Sequence, residues 1–423
     1  MGRKKSARAS GGRRAKALPE QRARLPDHQT HSPALRESPA PWTHFRCTDA
    51  TGDEDAGAVA QMENALWLPM AMAGALMPDA HTGYGLPIGG VLAVDNAVIP
   101  YAVGMDIACR MKLSVLDMPV ARLREKRETL LAALETQTRF GVGGVYRPAL
   151  DHPVMHEDWG FCRLLKAERR KAAEQLGTSG SGNHFVEFGE LHVLETWGDL
   201  PAGRYAALLS HSGSRGVGGA VAQHYSRLAR TLNPGLPDRL RHLAWFALDS
   251  PEGREYWAAM ELMGRYSEAN HALIHQRVTG VLGLEVLATV ENHHNFAWVE
   301  EVAGRPAVVH RKGATPAHAG RLGVIPGSMV APGFVVRGRG EPRALHSAAH
   351  GAGRRLNRTQ ARAQANWHHL GQVLAAHGVT LLGGGLDEAP CAYKDIHAVM
   401  HAQAELVEVV GRFVPRLVKM DTF

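Results

Sequence analysis

Asp106 and Cys109 place a carboxylate and a thiol three residues apart, just after a glycine that ends an apolar run. Both groups can bind metal ions, the cysteine as a thiolate. Residues 98–103 and 111–116 are mainly apolar, which predicts two strands with the pair in the turn between them. A turn brings residues i and i+3 close together. Taken alone, the pair also fits a turn aspartate and a buried, inert thiol.

Three histidines lie at the ends of predicted strands or of a glycine-rich loop, and they are His184, His211 and His294. A single histidine in such a place is more often structural than a metal ligand. Three of them, added to a carboxylate and a thiol that also lie at a strand end, favour a metal site. Mixed nitrogen, oxygen and sulfur ligands suit several transition metals, including Zn²⁺ and Co²⁺.

Two further loops carry candidate catalytic groups. Asp79 lies in a glycine-rich turn at residues 78–85, together with an imidazole. His350 is followed by small residues at 351–353, which leave room for a bulky group, and then by Arg354. A histidine placed in this way could attack a phosphorus centre, and the alternative is a tightly packed loop before a helix. The sequence contains no P-loop, dinucleotide fingerprint, nucleophile elbow or HExxH helix.

The composition indicates a globular protein with a basic N-terminal tail. The chain has 423 residues and a formal charge of +7. Residues 1–30 hold nine basic against two acidic side chains, so the rest of the chain is neutral and attracts phosphate only through local clusters. The four cysteines form no C-x-x-C pair, which favours a reducing cytoplasm, and no apolar run is long enough to span a bilayer.

These groups must be positioned by interspersed helices and strands. Residues 1–42 are poor in large apolar side chains and are predicted to be a disordered tail, and residues 43–423 a single domain. Helical periodicity predicts helices at residues 161–176, 255–278 and 398–413, and β-branched runs predict strands at residues 205–210, 285–290 and 333–337. The irregular order favours an α+β fold with a mixed β-sheet.

Eight motifs follow one another along the chain: P-D-A-H-T-G-Y-G, V-G-M-D-I-A-C, G-S-G-N-H-F-V-E, H-S-G-S-R-G, H-N-F-A, P-G-S-M, H-G-A-G-R and Y-K-D-I. Together they resemble the RtcB family of RNA-splicing ligases, from about residue 76 to the C-terminus. The resemblance implies a single α+β domain. It also implies a cytoplasmic enzyme of tRNA splicing or RNA repair that joins RNA 2′,3′-cyclic phosphate or 3′-phosphate ends to 5′-hydroxyl ends, using GTP and two Mn²⁺ ions.

The resemblance assigns roles residue by residue. Cys109 would be shared by both metal ions, Asp106 and His184 would complete one ion, and His211 and His294 the other. His350 would carry GMP, Arg215 would face an RNA phosphate, and Asp79 would face the reacting end. The implied nucleotide-binding residues are Asn183, Glu187, Asn295, Pro326, Gly327, Ser328, Met329, Gly351, Ala352, Gly353 and Lys419.

The chain departs from the family pattern at a few positions near these motifs, which are Ala108, Arg110, Gly333, Phe334, Asn357 and His397. Two other functions also fit the residues. A two-metal phosphodiesterase acting on cyclic phosphate ends of RNA would need the same ligands but not His350. A metal-containing RNA-binding protein without turnover would need the ligands for stability alone.

Overall fold

The computed structural model describes residues 34–47 and 55–422. Its strands are β1 (Trp42–His44), β2 (Ala71–His81), β3 (Ile88–Val94), β4 (Ala97–Val98), β5 (Arg110–Leu116), β6 (Phe185–Val193), β7 (Gly203–Ser212), β8 (Phe246–Ala247), β9 (Val286–His293), β10 (Asn295–Val302), β11 (Arg305–Lys312), β12 (Ala314–Pro316), β13 (Leu322–Ile325), β14 (Gly333–Gly338), β15 (Ser347–Ala349), β16 (Thr380–Gly384) and β17 (Val407–Thr422).

The helices are α1 (Ala56–Leu66), α2 (Pro100–Val103), α3 (Arg122–Glu125), α4 (Arg127–Gln137), α5 (Arg163–Gln175), α6 (Arg215–Leu232), α7 (Pro251–Leu282), α8 (Arg358–Gln364), α9 (Trp367–His377) and α10 (Ile396–Ala402). Within the described ranges, no helix combines the length and the apolar character needed to cross a membrane.

Two large sheets carry most of the strands. One has eight strands, in the order β13-β14-β17-β6-β7-β5-β9, with β16 added to β17, and the other has the order β1-β2-β3-β11-β10. The pairs β1/β2 and β16/β17 are parallel, and the remaining pairs of these two sheets are antiparallel. The mixed sheets confirm the predicted α+β class.

Helix α7 packs along one face of the eight-stranded sheet. Pro251 occupies its first turn, the Ser250 hydroxyl accepts from the Gly253 N–H, and Gly283 ends it in the left-handed conformation. Its buried residues Ile274 and Val278 belong to the same apolar cluster as side chains of β6 and β7. This packing fixes the strands whose ends carry the candidate ligands.

Strand register gathers the predicted ligands at one end of this sheet. β5 lies between β7 and β9, and β7 pairs with β6 on its other side. Arg110 on β5 is opposite both Ser212 and His293, and Phe185 on β6 is opposite His211. His211 on β7 therefore lies near three other predicted ligands. These are Cys109 just before β5, His184 just before β6 and His294 just after β9.

The strand predicted at residues 98–103 is wrong. Strand β4 ends at Val98, and helix α2 begins at Pro100. Proline fits the first turn of a helix, because its fixed φ is helical and its missing N–H has no intrahelical partner there. Asp106 and Cys109 therefore lie in a helix-to-strand connection.

The helix predicted at residues 398–413 is also wrong beyond its first turns. Helix α10 ends at Ala402, and β17 begins at Val407. The β-branched residues after this point pack well in a sheet, where β17 has neighbours on both sides. The helices predicted at residues 161–176 and 255–278 are confirmed by α5 and α7.

The predicted tail falls mostly outside the described residues, because residues 1–33 are not described. Within its last part, Ala40 is buried, and its N–H donates to the Leu66 carbonyl at 2.9 Å. Trp42 begins β1, which pairs with β2. The packed part of the chain therefore includes residues before the predicted boundary at residue 43.

Candidate metal centre and nucleotide pocket

The five predicted metal ligands form one continuous group. Cys109 Sγ lies at its centre, 3.0 Å from His211 Nε2 and 3.4 Å from His184 Nε2. Asp106 Oδ2 lies 3.0 Å from the same nitrogen of His184. On the other side, His294 Nε2 lies 3.4 Å from His211 Nε2. The thiol is thus the member of the group that contacts both His184 and His211.

Burial favours the neutral form of the imidazoles. It is the main cause that lowers the pKa of His184 and of His294, and it lowers that of His211 to about 3, with the charge of His184 adding to the effect at His211. Burial also raises the pKa of the Cys109 thiol, as does the adjacent Asp106 carboxylate. Neutral imidazoles have the free nitrogen lone pair that a metal ion needs.

Asp106 stays ionised in this setting. Burial acts to raise its pKa, but the hydrogen bond and charge of His184, together with the charge of Arg215, hold the pKa well below its usual value. The carboxylate can therefore ligate a cation at neutral pH. Within residues 34–47 and 55–422, the tightest group of possible metal ligands is Cys109, His184 and His211, whose ligand atoms all lie within 4.8 Å of one another.

The connection that carries Asp106 and Cys109 is fixed from several sides. Ala108 has φ 55°, in the left-handed region that favours glycine, and its N–H donates to the Asn295 carbonyl at 2.7 Å. The Asn295 side chain donates to the Asp106 carbonyl at 3.1 Å and accepts from the Gly313 N–H at 2.8 Å. Asn295 thus holds the connection at residues 104–109, which we call the metal loop. It does not line the predicted nucleotide pocket.

Arg110 contacts groups away from the cysteine. Its guanidinium donates to Glu291 Oε1 at 2.5 Å and lies 3.1 Å from His293 Nδ1. Lys112 pairs with the other oxygen of Glu291 at 2.9 Å. Successive side chains of a strand point to opposite faces. Arg110, which follows Cys109 in sequence, is therefore neutralised by Glu291 on the face of β5 away from the cysteine.

Arg215 reaches the metal ligands across the glycine-rich loop. Its Nη2 lies 3.1 Å from His184 Nδ1. Gly180 permits this approach, because a Cβ there would lie 1.5 Å from Arg215 Nη1, and its φ of +93° also favours glycine. This arrangement places a guanidinium beside Asp106 and His184, at a cleft that Lys171 also lines.

His350 is held by a buried carboxylate. Asp79 is fully buried, and its Oδ2 accepts from His350 Nδ1 at 2.6 Å, from the His350 N–H at 3.0 Å and from the Gly351 N–H at 3.3 Å. This contact makes Nδ1 the protonated nitrogen and leaves Nε2 with a free lone pair. The ring centroids of His350 and His294 are 4.9 Å apart, so His350 adjoins the candidate metal ligands.

A pocket opens beside His350 and the metal ligands. The predicted residues that line it are Asn183, Glu187, His211, His294, Pro326, Gly327, Ser328, Met329, His350, Gly351, Ala352 and Gly353. The lining residues that were not predicted to bind a nucleotide or a metal ion are His81, Phe185, Leu209, Ala331, Gly333, Arg354, Arg358, Glu388, Tyr393, Val418 and Met420. Arg354 and Tyr393 lie inside two of the motifs, which could have indicated them.

Glu187 is the acid that faces this pocket without a cation. It is buried, and burial alone raises its pKa well above the usual value. Among residues 34–47 and 55–422 no lysine, arginine or histidine forms an ion pair with it. A buried carboxyl group without a protein partner suits a ligand that donates hydrogen bonds.

Lys419 lies outside the pocket. Its Nζ donates to the Leu134 and Glu135 carbonyls at 3.1 and 3.0 Å, whereas its neighbours Val418 and Met420 line the pocket. Adjacent residues of β17 face opposite sides of the sheet, which directs the lysine toward the end of α4.

Two departures from the family pattern contact each other. The rings of Phe334 and His397 meet edge to face, with centroids 5.7 Å apart. Phe334 is buried, and neither ring lines the pocket, although Gly333 does. Asn357 still caps its helix, because its side chain accepts from the Gln360 N–H. These replacements therefore leave the ligands and His350 untouched.

The chain matches the family model described as tRNA-splicing ligase RtcB over residues 61–162 and 155–421. The chain belongs to the RtcB family. An RNA-splicing ligase RtcB of Escherichia coli K12 is 33% identical over 367 residues, covering 79% of this chain and 87% of the relative. A tRNA-splicing ligase RtcB of Aeropyrum pernix is 31% identical over 422 residues, covering 81% and 86% respectively.

A third RtcB, the RNA-splicing ligase of Mycobacterium tuberculosis, is 32% identical over 431 residues and is covered over 98% of its length. The two ranges matched by the RtcB model include Asp79, the five candidate ligands and His350. The candidate centre is therefore made from the part of the chain that this family shares.

Proposed function

We propose that this protein is an RNA ligase that joins 2′,3′-cyclic phosphate or 3′-phosphate ends to 5′-hydroxyl ends, using GTP and two Mn²⁺ ions. The observation that carries the proposal is His350, a histidine with a buried carboxylate on Nδ1 and a free Nε2 at the boundary between a metal centre and an apolar pocket. Such a histidine is an activated nucleophile. Membership of a family of RNA ligases supports the reaction class.

The pocket is suited to a guanine base. Guanine presents an N–H and an adjacent NH₂ on one edge. Glu187 can accept from both as a carboxylate, the form that two such donors would stabilise against the effect of burial. Adenine has an acceptor nitrogen in place of that N–H and a C–H in place of that NH₂, so in the same orientation it loses both bonds. The apolar side chains of Phe185, Val418 and Met420 give the base its nonpolar surroundings.

The chemistry then follows in three transfers. His350 Nε2 attacks the α-phosphorus of GTP, and the bond to the leaving pyrophosphate breaks. An oxygen of the RNA 3′-phosphate next attacks this phosphorus and releases His350. The 5′-hydroxyl finally attacks the RNA phosphorus, which forms the phosphodiester and expels GMP. A cyclic phosphate must first be opened by water to a 3′-monoester.

Asp79 stabilises the positive charge that the imidazole gains when Nε2 bonds to phosphorus. Cys109 with Asp106 and His184, and Cys109 with His211 and His294, would hold the two ions. When bound, these ions neutralise phosphate charge and orient in-line attack. Arg215, which adjoins His184, would face a phosphate of the RNA.

The direct test is the intact mass of the protein after incubation with GTP and Mn²⁺. We expect an increase of one GMP, its loss in His350→Ala, and its retention in the control His401→Ala, an exposed histidine of α10. Repeating the incubation with ATP tests the role given to Glu187. The absence of an adduct on the wild-type protein, or an adduct on His350→Ala, would refute the mechanism.

A two-metal phosphodiesterase is the second candidate, because the ligand group around Cys109 is complete without His350. If the protein is such an enzyme, the wild type and His350→Ala should open RNA cyclic phosphates equally well, and neither should need GTP. In contrast, a metal-containing RNA-binding protein would give no RNA product in either form. Gel analysis of an end-labelled RNA separates these outcomes.

A further inference from the structure

The loop that begins at Asp79 ends in an exposed aromatic ring. Tyr84 follows Asp79 by five positions, and 67% of its surface is exposed. A large ring in solvent needs no explanation when it is isolated, but this one has aromatic neighbours. The Tyr84 ring centroid is 6.0 Å from that of His242 and 6.5 Å from that of Tyr101.

The three rings form a supported group, which we call the aromatic subsite (Tyr84, Tyr101 and His242). Tyr101 and His242 meet edge to face, with centroids 5.1 Å apart and planes at 82°. Such edge-to-face contacts are favourable for aromatic rings. The two partly buried rings therefore support Tyr84 from one side, while its other surface remains in solvent.

The backbone around Tyr84 is fixed, although its side chain is exposed. Gln61 holds Gly83 through two hydrogen bonds, at 2.6 and 3.0 Å. Lys312 Nζ donates to the Tyr84 carbonyl and, at 2.9 Å, to the Leu86 carbonyl.

Gly85 brings this loop against the segment that carries His242. It has φ +71°, and a Cβ there would lie only 2.8 Å from the His242 carbonyl oxygen. A position that only glycine tolerates thus keeps Tyr84 beside His242.

The aromatic subsite is linked to the catalytic groups by two consecutive residues. Lys312, which holds the Tyr84 carbonyl, packs against Gly104 at the start of the metal loop. Gly313 lies beside His350, whose Cε1 would be 3.2 Å from a Cβ at this position. The loop that carries Tyr84 and the pair of Asp79 and His350 are therefore joined by one continuous set of contacts.

The charges around the rings suit a polyanion. Burial, followed by the nearby positive charges of Arg230 and Arg241, lowers the pKa of His242. Arg241 has a weak, exposed partner in Asp238, at 3.9 Å. Aromatic rings bordered by cations are the usual means of binding single-stranded nucleic acid, with bases on the rings and phosphates near the cations.

We propose that the aromatic subsite stacks a nucleobase of the single-stranded RNA whose end enters the site beside His350. The inference rests on the proposed function, because it takes RNA as the substrate. It adds a base-binding subsite outside the metal centre and the nucleotide pocket. Stacking tolerates every base, so the aromatic subsite would hold the strand without selecting a sequence.

The test measures RNA affinity without GTP, by fluorescence anisotropy of short labelled RNAs. One RNA ends in a 3′-phosphate and another begins with a 5′-hydroxyl, which identifies the strand that is stacked. We expect Tyr84→Ala to bind one of them about tenfold more weakly, since stacking of one base contributes ~1.4 kcal/mol or more. Tyr84→Phe, which keeps the ring, should restore the affinity.

Trp367→Ala is the matched control, because Trp367 is 57% exposed on α9 and lies outside the aromatic subsite. It should bind both RNAs as the wild type does. Thermal melting of each variant verifies that it is folded. Equal affinity of Tyr84→Ala and Trp367→Ala for both RNAs would overturn the proposal.

A second arm replaces one nucleotide at a time by an abasic residue. At the stacked position, the abasic RNA should lose about tenfold in affinity for the wild type and nothing further for Tyr84→Ala. An equal abasic loss in both proteins at every position would show that no base stacks on Tyr84. The GMP adduct assay is independent, so failure of the ligase mechanism remains distinguishable from failure of the aromatic subsite.

Discussion

Replacing Asp79 by asparagine tests how the carboxylate activates His350. The amide oxygen can take the place of Oδ2 and accept the same three hydrogen bonds, two from backbone N–H groups and one from His350 Nδ1. The substitution therefore keeps the geometry and removes only the charge. The two backbone bonds are the same before and during attack, so they do not affect the rate.

The bond to Nδ1 differs, because the imidazole becomes positive as Nε2 bonds to phosphorus. A hydrogen bond between charged groups is worth about 1–2 kcal/mol more than a neutral one. Taking ~2 kcal/mol as the loss in the transition state, Asp79→Asn should form the GMP adduct about 30-fold more slowly.

Quenched-flow incubation with GTP, followed by intact mass measurement, gives this rate. Asp95→Asn is the control, since Asp95 is an exposed carboxylate paired with Arg305 at 3.2 Å. If Asp79→Asn formed the adduct as fast as the control, the negative charge would have no part in activating His350. An inactive variant with a lowered melting temperature would point to misfolding. An NMR titration of His350 would then show whether the surroundings of its imidazole have changed.

Three further predictions concern single side chains. Glu187→Gln should raise the GTP concentration needed for half-maximal adduct formation by roughly tenfold, because a hydrogen bond to a charged acceptor contributes ~1.5 kcal/mol or more. An unchanged GTP dependence would contradict the guanine contact. Cys109→Ala should retain less metal than the control Cys162→Ala in elemental analysis after gel filtration. Cys162 is a buried thiol that caps α5. Equal metal content in the two variants would exclude the Cys109 thiolate as a ligand. Burial lowers the pKa of His310 from 6.5 to about 4, so its contribution to stability is complete above pH 6.5 and is lost as the pH falls toward 4. His310→Gln should therefore remove about 3 kcal/mol from the pH dependence of the unfolding free energy, measured with urea. The same change of unfolding free energy with pH in wild type and variant would refute this prediction.

The sequence was most informative about groups that lie at strand ends. His211 and His294 could be placed near Cys109, because polar residues directly after β-branched runs tend to meet at one edge of a sheet. The role of the glycine-rich loop before His184 could not be predicted in this way. In the structure, Gly180 makes room for the Arg215 guanidinium.

Contacts between distant parts of the chain could not be predicted. Asp79 and His350 are 271 residues apart, and no local pattern shows that the carboxylate binds the imidazole. The neutralisation of Arg110 by Glu291 depends in the same way on the pairing of β5 with β9. Both pairs are set by sheet topology, which propensity and periodicity do not determine.

Lys419 shows a different limit. A motif gives the position of a residue along the chain, but the side to which it points depends on strand register. In β17, a shift of one residue would exchange Lys419 with Val418 or Met420 as a wall of the pocket. The resemblance therefore gave the position of Lys419 along the chain and could not determine its facing.

Strand β17 also has a consequence for the order in which this protein is made. It pairs with β6 and β14, and its residues Val418 and Met420 line the pocket beside Glu187, the cross-strand partner of Val418. During synthesis from the N-terminus, β6 emerges more than 200 residues before its partner. The large sheet therefore remains split, and its unpaired edges need protection from aggregation until the last strand leaves the ribosome. A chain cut short before Val407 would carry every proposed metal ligand and His350, yet it would have no closed pocket in which to bind a nucleotide.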